Sequence, residues 1–223
     1  MATNILVIGA SRGIGLELVR QYLDAGDRVI ATARDDAALE RLRALGAVPL
    51  KLDVANPASV SGLAWLLDGE KLDTAIYVAG VMSHGNALVP PTQPDFDHVM
   101  HTNVLGAMQA IPQVLPLVEA AQGRFAVISS DMGLMSGVSS SHSWTYRASK
   151  AALNMVVAAA RHDYPQAILV ALSPGWVQTD MGGSSAPLSV QTSVTALRAT
   201  LARLTPADSG RFFGIDGQPL AGW

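Results

Sequence analysis

At 223 residues the chain suits one domain or at most two. Nearly half of it (49%) is apolar and 15% is charged, which supplies a large core and argues against disorder, while a net charge of −3 and a pI near 5.9 argue against a nucleic-acid surface. Without cysteine there is no disulfide framework or thiolate metal site; with no basic segment ahead of an apolar one at the amino terminus, and no apolar run near the ~20 residues that span a bilayer, a cytoplasmic setting free of membrane is expected.

Ile5-Leu6-Val7-Ile8 is a short apolar run that stops at glycine, the pattern of a strand buried on both faces. Gly9-Ala10-Ser11-Arg12-Gly13-Ile14-Gly15 follows, then Leu16, Leu18, Val19, Tyr22 and Leu23 at helical spacing, with Gly26 as the stop. In a strand, glycine-rich turn and helix, the glycines let the backbone turn sharply and approach a pyrophosphate, which lies against the positive end of the helix. The spacing is Gly-x3-Gly-x-Gly rather than Gly-x-Gly-x-x-Gly, and a purely structural tight turn is the plainer alternative. No lysine follows these glycines, so a Walker-type phosphate loop is excluded. Gly9 to Gly13 also satisfies Gly-x-Ser-x-Gly, the serine-hydrolase nucleophile elbow with Ser11 as nucleophile; that elbow borrows its oxyanion hole from a loop after an earlier strand, whereas this turn follows the first strand of the chain.

Residues 28–33 read as a second strand, ending about 20 residues past the first glycine, where an acid would mark an NAD ribose site. Arg34 stands there instead. Together with Arg12 it is suited to a 2′-phosphate, which favours NADP(H) over NAD(H); the alternative is a solvated helix start beside Asp35 and Asp36. Residues 37–45 read as a helix stopped by Gly46, and 48–52 as a third strand ending at Asp53-Val54. Asp53 is placed to bond an adenine amino group or to cap the helix after Pro57. Residues 74–78 form a fourth strand closed by Ala79-Gly80, small enough for a ribose to pass close to the backbone. Residues 96–121 have helical spacing that Pro112 and Pro116 are expected to kink or interrupt. Within that stretch Asn103 is disfavoured by propensity, and is either a satisfied core residue or a functional one. His98 and His101 lack a third ligand and read as helix-surface residues, so no metal site is expected.

Residues 124–128 and 168–172 are the fifth and sixth strands, ending in Ser129-Ser130 and Ser173-Pro174-Gly175. The alternation predicts an α/β, single-domain Rossmann-type fold: a doubly wound parallel sheet with helices on both faces and ligands beyond the carboxyl ends of the strands, where all these candidates fall. Tyr146 opens an alanine-rich helical run, and four residues on, Lys150 shares its face. An adjacent cation favours a phenolate, so the pair reads as a general acid or base.

In this order, Gly9, Gly13 and Gly15, Asp53-Val54, Ala79-Gly80, Asn103, Ser130, Tyr146 with Lys150, and Pro174-Gly175 with Thr179 resemble the short-chain dehydrogenase/reductase family over essentially the whole chain. Residues 212–220 with Trp223, and residues 176–183, resemble its compact C-factor and sniffer-type carbonyl reductase branch. The resemblance implies an NADP(H)-dependent enzyme interconverting a carbonyl and an alcohol. In it Tyr146 gives the proton, Ser130 orients the carbonyl oxygen, Lys150 lowers the Tyr146 pKa and holds the nicotinamide ribose, and Asn103 supports a water-mediated proton relay. It further implies cofactor contacts from Gly9, Ser11, Arg12, Gly13, Ile14, Gly15, Arg34, Asp53, Val54, Ala79, Gly80, Tyr146, Lys150, Pro174, Gly175, Val177 and Thr179. A homodimer or homotetramer packed through the helices of Asn103 and Tyr146 is implied as well, although the sniffer-type branch admits a monomer.

The chain also departs from the family pattern. Two asparagines usually precede Ala-Gly, and here they are Tyr77 and Val78, so the usual hydrogen bonds at that strand end are missing or replaced. A longer stretch before Tyr146 lets Ser129, Ser139 or Ser140 compete with Ser130. Met132, Leu134, Met135, Val138, Trp144, Trp176 and Met181 suit an apolar pocket for a ketone, aldehyde or quinone-like substrate, with core packing as the rival reading. Residues 182–188 read as a lid or as a surface loop, and His142 as a residue near substrate. Alternatives in function are an NADP-binding sensor or signalling protein without useful turnover, against which the intact Ser130, Tyr146 and Lys150 set argues, and hydrolysis through Ser11.

Overall fold

The computed structural model describes residues 2–223, and among these the strands are β1 (Asn4–Ile8), β2 (Arg28–Ala33), β3 (Val48–Lys51), β4 (Thr74–Tyr77), β5 (Arg124–Ile128), β6 (Ile168–Leu172) and β7 (Phe212–Phe213). The helices are α1 (Gly13–Asp24), α2 (Asp36–Ala44), the short α3 (Pro57–Val60) and α4 (Leu63–Leu66), α5 (Gln93–Met100), α6 (Gly106–Glu119), α7 (Trp144–Ala160) and α8 (Val190–Arg203). All strands pair in parallel in one sheet of order β3-β2-β1-β4-β5-β6-β7. The order reverses beside β1, which pairs Ile5 with Val29 of β2 on one side and with Thr74 of β4 on the other. A crevice opens at such a switch point beyond the carboxyl ends of the two strands.

Successive side chains of a strand face opposite ways, and both faces of this sheet are covered. Ile5 and Val7 pack with Leu18, Val19 and Tyr22 of α1, Leu42 of α2, and Val194 and Leu197 of α8. Leu6 and Ile8 pack with Leu63 of α4, Ala110 and Val114 of α6, and Leu153 and Val157 of α7. Each fully buried Leu or Val here contributes about 1.5–3 kcal/mol relative to exposure. No helix among the described residues is long and apolar enough to cross a membrane.

Three features differ from the sequence expectation. Pro112 and Pro116 do not break α6, which is continuous from Gly106 to Glu119. Both prolines lie with Met108 on the exposed side of the helix, so the carbonyls that lose an N–H partner are open to water. The irregularity falls earlier, in a π-helical turn at His101–Leu105 that contains Asn103. Finally, α8 and β7 had no counterpart among the elements expected from sequence. Ser189 caps α8 by accepting the Thr192 N–H at 3.1 Å, and Val194, Leu197 and Leu201 recur at helical spacing on its buried side. The two-residue β7 is held by its pairing to β6.

Candidate active site

The glycine-rich turn between β1 and α1 is one wall of a cleft of about 430 Å³ at the switch point. Gly9 has φ +94°, and a Cβ there would stand 2.7 Å from the Ala79 nitrogen, so the turn and the end of β4 approach closely because neither carries bulk. A Cβ on Gly15 would run into the Gly9 carbonyl oxygen. Thr32 fixes the turn from β2, its hydroxyl accepting the Gly9 N–H at 3.0 Å and its carbonyl the Ala10 N–H at 2.8 Å. No side chain caps the start of α1, which leaves its first N–H groups open to an anion.

Of the expected cofactor residues, Gly9, Ser11, Arg12, Gly13, Ile14, Gly15, Arg34, Asp53, Val54, Ala79, Gly80, Tyr146, Lys150, Pro174 and Thr179 line this one cleft. Gly175 and Val177 do not. Gly175 backs onto Leu188, and buried Val177 bridges to Leu188, so these two anchor the segment that carries Thr179. Asp53 does not cap the helix after Pro57: Asn56 does so by accepting the Ala58 N–H at 3.0 Å, while one Asp53 oxygen accepts the Ala55 N–H at 3.1 Å. Ser11 has no histidine beside it in the cleft lining, which removes the base a hydrolase would need.

The charges around the turn are unequally engaged. Asp35 caps α2 by accepting the Ala38 N–H at 2.8 Å, and Asp36 pairs with Lys51 at 2.8 Å. Both neighbours of Arg34 are therefore occupied, and Arg34 makes no ion pair among the described residues. Arg12 pairs with Asp180 at 2.8 Å, both side chains well exposed, an attachment weak enough for a doubly charged phosphate to displace. Asp180 reaches Arg12 from the segment after Pro174, and on the same segment the Thr179 methyl packs over Gly13. Residues 182–188 form a pinned excursion: Gly183 N–H donates to Thr179 O at 2.8 Å, Gln178 N–H to Leu188 O at 2.9 Å, and the Trp176 indole to Gly182 O at 2.8 Å.

In the lining of the cleft, α7 buries Tyr146 and Lys150 at 6% and 3% exposure. The Lys150 ammonium donates to the Ile128 carbonyl at 2.7 Å and lies 5.6 Å from the centre of the Tyr146 ring. Contrary to the sequence expectation, the Tyr146 pKa is raised. Burial penalises the phenolate and outweighs the hydrogen bond from the Ser130 hydroxyl, which acts in the opposite direction. Burial likewise pushes Lys150 down to about 8.

Ser130, half-buried, also accepts the Met132 N–H at 3.1 Å and so caps the 3₁₀ turn Asp131–Gly133. Of the competing serines, Ser129 lines the cleft, which Ser130 does not, but the Ser129 hydroxyl is buried and donates to Asn154 Oδ1 at 2.6 Å; Ser139 and Ser140 are exposed. Asn103 does not line the cleft. Its Oδ1 accepts the Val81 N–H at 2.8 Å, and its Nδ2 donates to Val81 O and to Ser149 Oγ, both at 2.9 Å. The amide of Asn103 thus ties the Val81 backbone to the Ser149 hydroxyl and leaves any relay to other atoms.

Met181 lines the cleft, while Met135, Val138, Trp144 and Trp176 are exposed; Leu134 packs on the core. His142 is exposed and stacks on His84 with ring centres 6.0 Å apart. His98 and His101 are exposed, and no group of metal-ligating residues exists among the described residues.

The short chain dehydrogenase family model matches residues 3–187. The protein belongs to the short-chain dehydrogenase family. A relative in this family, the 1-hydroxy-2-glutathionyl-2-methyl-3-butene dehydrogenase of Rhodococcus sp. (strain AD45), is 34% identical over 96% of this chain and 97% of its own length. Carbonyl reductase Sniffer of D. melanogaster is 29% identical and superposes over 99% of this chain and all of its own with a TM-score of 0.89. A carbonyl reductase from Pseudomonas aeruginosa PAO1 in complex with NADP is 30% identical, with 99% of each chain covered and a TM-score of 0.85. As a short-chain dehydrogenase the chain is an oxidoreductase.

Thr32, Gln178 and Asp180 join the cleft without having been singled out from sequence. For Asp180 the only local signal was its place beside Thr179. Ser149 gave none, because its role depends on Asn103 reaching it across 46 residues.

Lys150 makes stability depend on pH in a defined sense. Its folded pKa of about 8 lies below its ordinary 10.5, so between these values the unfolded chain binds more protons and stability rises with pH. Tyr146 acts oppositely above its ordinary 10.0, because the unfolded chain then loses the phenolic proton first. Lys150→Met is therefore expected to be most favoured over the wild type in stability near neutral pH, with that advantage shrinking as pH rises toward about 10. Urea midpoints of the cofactor-free proteins measure it, and a gap independent of pH refutes a buried ammonium.

Proposed function

We propose that the protein is an NADP(H)-dependent carbonyl reductase or alcohol dehydrogenase with Tyr146 as its general acid and base. The observation that carries this reading is the cleft itself: buried Tyr146 and Lys150 in its lining, with Ser130 hydrogen-bonded to the phenol from just outside it, and the glycine turn with Arg34, which makes no ion pair among the described residues. The residues fit the cofactor. Gly9 and Gly15 leave no room for Cβ atoms, Arg34 and Arg12 suit a 2′-phosphate, Asp53 an adenine amino group, and Lys150 a nicotinamide ribose. When bound, NADPH supplies a hydride to the carbonyl carbon.

The chain's own groups do the rest. Ser130 orients the carbonyl oxygen, and Tyr146 hands it a proton as alkoxide charge develops, so that charge is neutralised where it forms. A phenol whose pKa is raised by burial stays protonated at neutral pH, which suits it to give a proton in the direction of reduction. Met181 in the cleft lining, with Met135, Trp144 and Trp176 exposed on the segments that carry Ser130, Tyr146 and Thr179, suits a ketone, aldehyde or quinone-like substrate. Homodimers or homotetramers through α5–α7 belong to the same proposal; Phe96, Met108 and Met155 are exposed on these helices.

The test is a panel of ketones, aldehydes and quinones with NADPH, followed by the loss of NADPH absorbance. Turnover with at least one carbonyl class, faster with NADPH than with NADH, is expected. Tight NADPH binding with no oxidation by any of them would mark a sensor instead.

A further inference from the structure

Tyr77 stands at the carboxyl end of β4, where the family pattern leads one to expect an asparagine. It is wholly buried, and its hydroxyl donates to the Thr102 carbonyl at 2.7 Å. Thr102 lies in the π-helical turn His101–Leu105 that separates α5 from α6. Such a turn shifts the helical hydrogen-bond ladder and leaves backbone groups in need of other partners; inside a protein an unpartnered carbonyl is costly. The phenol supplies one. Space for it exists because residue 106 is glycine: a Cβ there would lie 2.5 Å from the Tyr77 oxygen and 2.7 Å from the Val54 carbonyl oxygen.

From that turn a chain of hydrogen bonds runs to the active site. Asn103, next to Thr102, grips both backbone groups of Val81 and donates to Ser149 Oγ, and Ser149 donates to the Tyr146 carbonyl at 2.7 Å. A Cβ on Gly80 would lie 3.4 Å from Asn103 Oδ1 and 3.5 Å from Lys150 Nζ, so the Ala79–Val81 stretch is sandwiched between that amide and the ammonium. If the turn relaxed by one residue to α-helical spacing, Asn103 would swing about 100° around the helix axis and lose these partners.

We infer that Tyr77 is a positioning residue: by holding Thr102 in the π turn it aims Asn103 at Val81 and Ser149, and so fixes the first turns of α7 against the end of β4. The inference rests on Tyr146 and Lys150 acting as in the proposed function, yet the placement it describes is measurable without turnover.

Tyr77→Phe keeps the ring and its packing and removes only the donor. In the variant, amide hydrogen exchange at Val81 and across residues 145–150 is expected to quicken about tenfold while β1 and β5 keep their protection. Turnover with NADPH and the best carbonyl of the panel is expected to fall about tenfold, with the NADPH Kd within about twofold of wild type, because small displacements of a proton donor slow chemistry more than binding. Adding Tyr77→Phe to Asn103→Ala is expected to cost little beyond Asn103→Ala alone, since both interrupt one route. Unchanged exchange at Val81 and 145–150 overturns the inference whether or not the enzyme turns over; so do a kcat within about twofold of wild type, or fully additive losses in the double variant. A wild type inactive on the whole panel, with the exchange response present, instead sinks the proposed reaction and leaves the positioning role standing.

Discussion

Tyr146→Phe is expected to lower kcat for NADPH-dependent carbonyl reduction by about a thousandfold while the NADPH Kd stays near its wild-type value. The phenylalanine keeps the ring in its buried place beside Lys150 and deletes only the transferable proton. No other residue replaces that proton well. Ser130 has a much less acidic hydroxyl that also accepts the Met132 N–H, and Lys150 is turned to the Ile128 carbonyl. Steady-state kinetics beside a fluorescence titration of NADPH separate the two effects. Full activity in the variant ends the general-acid assignment; a matched loss of binding and turnover shows that the hydroxyl holds the cofactor rather than transfers a proton.

The second large effect is at Arg34. Arg34→Ala is expected to raise the Kd of NADPH by about 10–100-fold and to leave that of NADH within about twofold, the range for removing charge-assisted hydrogen bonds to a phosphate dianion. Among the described residues Arg34 makes no ion pair, while Asp35 caps α2 and Asp36 pairs with Lys51. Arg12 must first leave Asp180, so its own contribution is reduced by the pair it breaks. Added salt is expected to weaken NADPH more than NADH in the wild type and to lose that difference in the variant. Equal losses for both cofactors would remove the 2′-phosphate from this corner of the cleft.

The legible parts of the fold were those whose cause is local. Strands buried on both faces must be nearly pure apolar runs, so Ile5–Ile8 and Ile168–Leu172 announced themselves, and the glycines ending the first of them marked the turn. At two residues β7 is too short for periodicity to reveal; only its pairing with β6 makes it a strand. α8 carries an apolar repeat and a serine cap, local signals with no chemical motif beside them. The prolines of α6 misled for a related reason: proline costs most where the freed carbonyl is buried, and exposure is not written in the neighbouring residues.

The amino-acid sequence by itself determined the chemical groups and their order along the chain: glycines after β1, arginine after β2, serine after β5, tyrosine and lysine one helical turn apart on α7. Strand and helix periods are properties of a few adjacent residues, and they carry those groups to the same edge of the sheet. Only the tertiary structure decided which charges find partners and how deeply each group is buried. Among the described residues Arg34 makes no ion pair while Lys51 takes Asp36, Arg12 is held because Asp180 arrives from 168 residues away, and Tyr77 reaches a carbonyl that the π turn presents. The same holds for the direction of the Tyr146 pKa, since desolvation by the surrounding fold outweighs the hydrogen bond from Ser130.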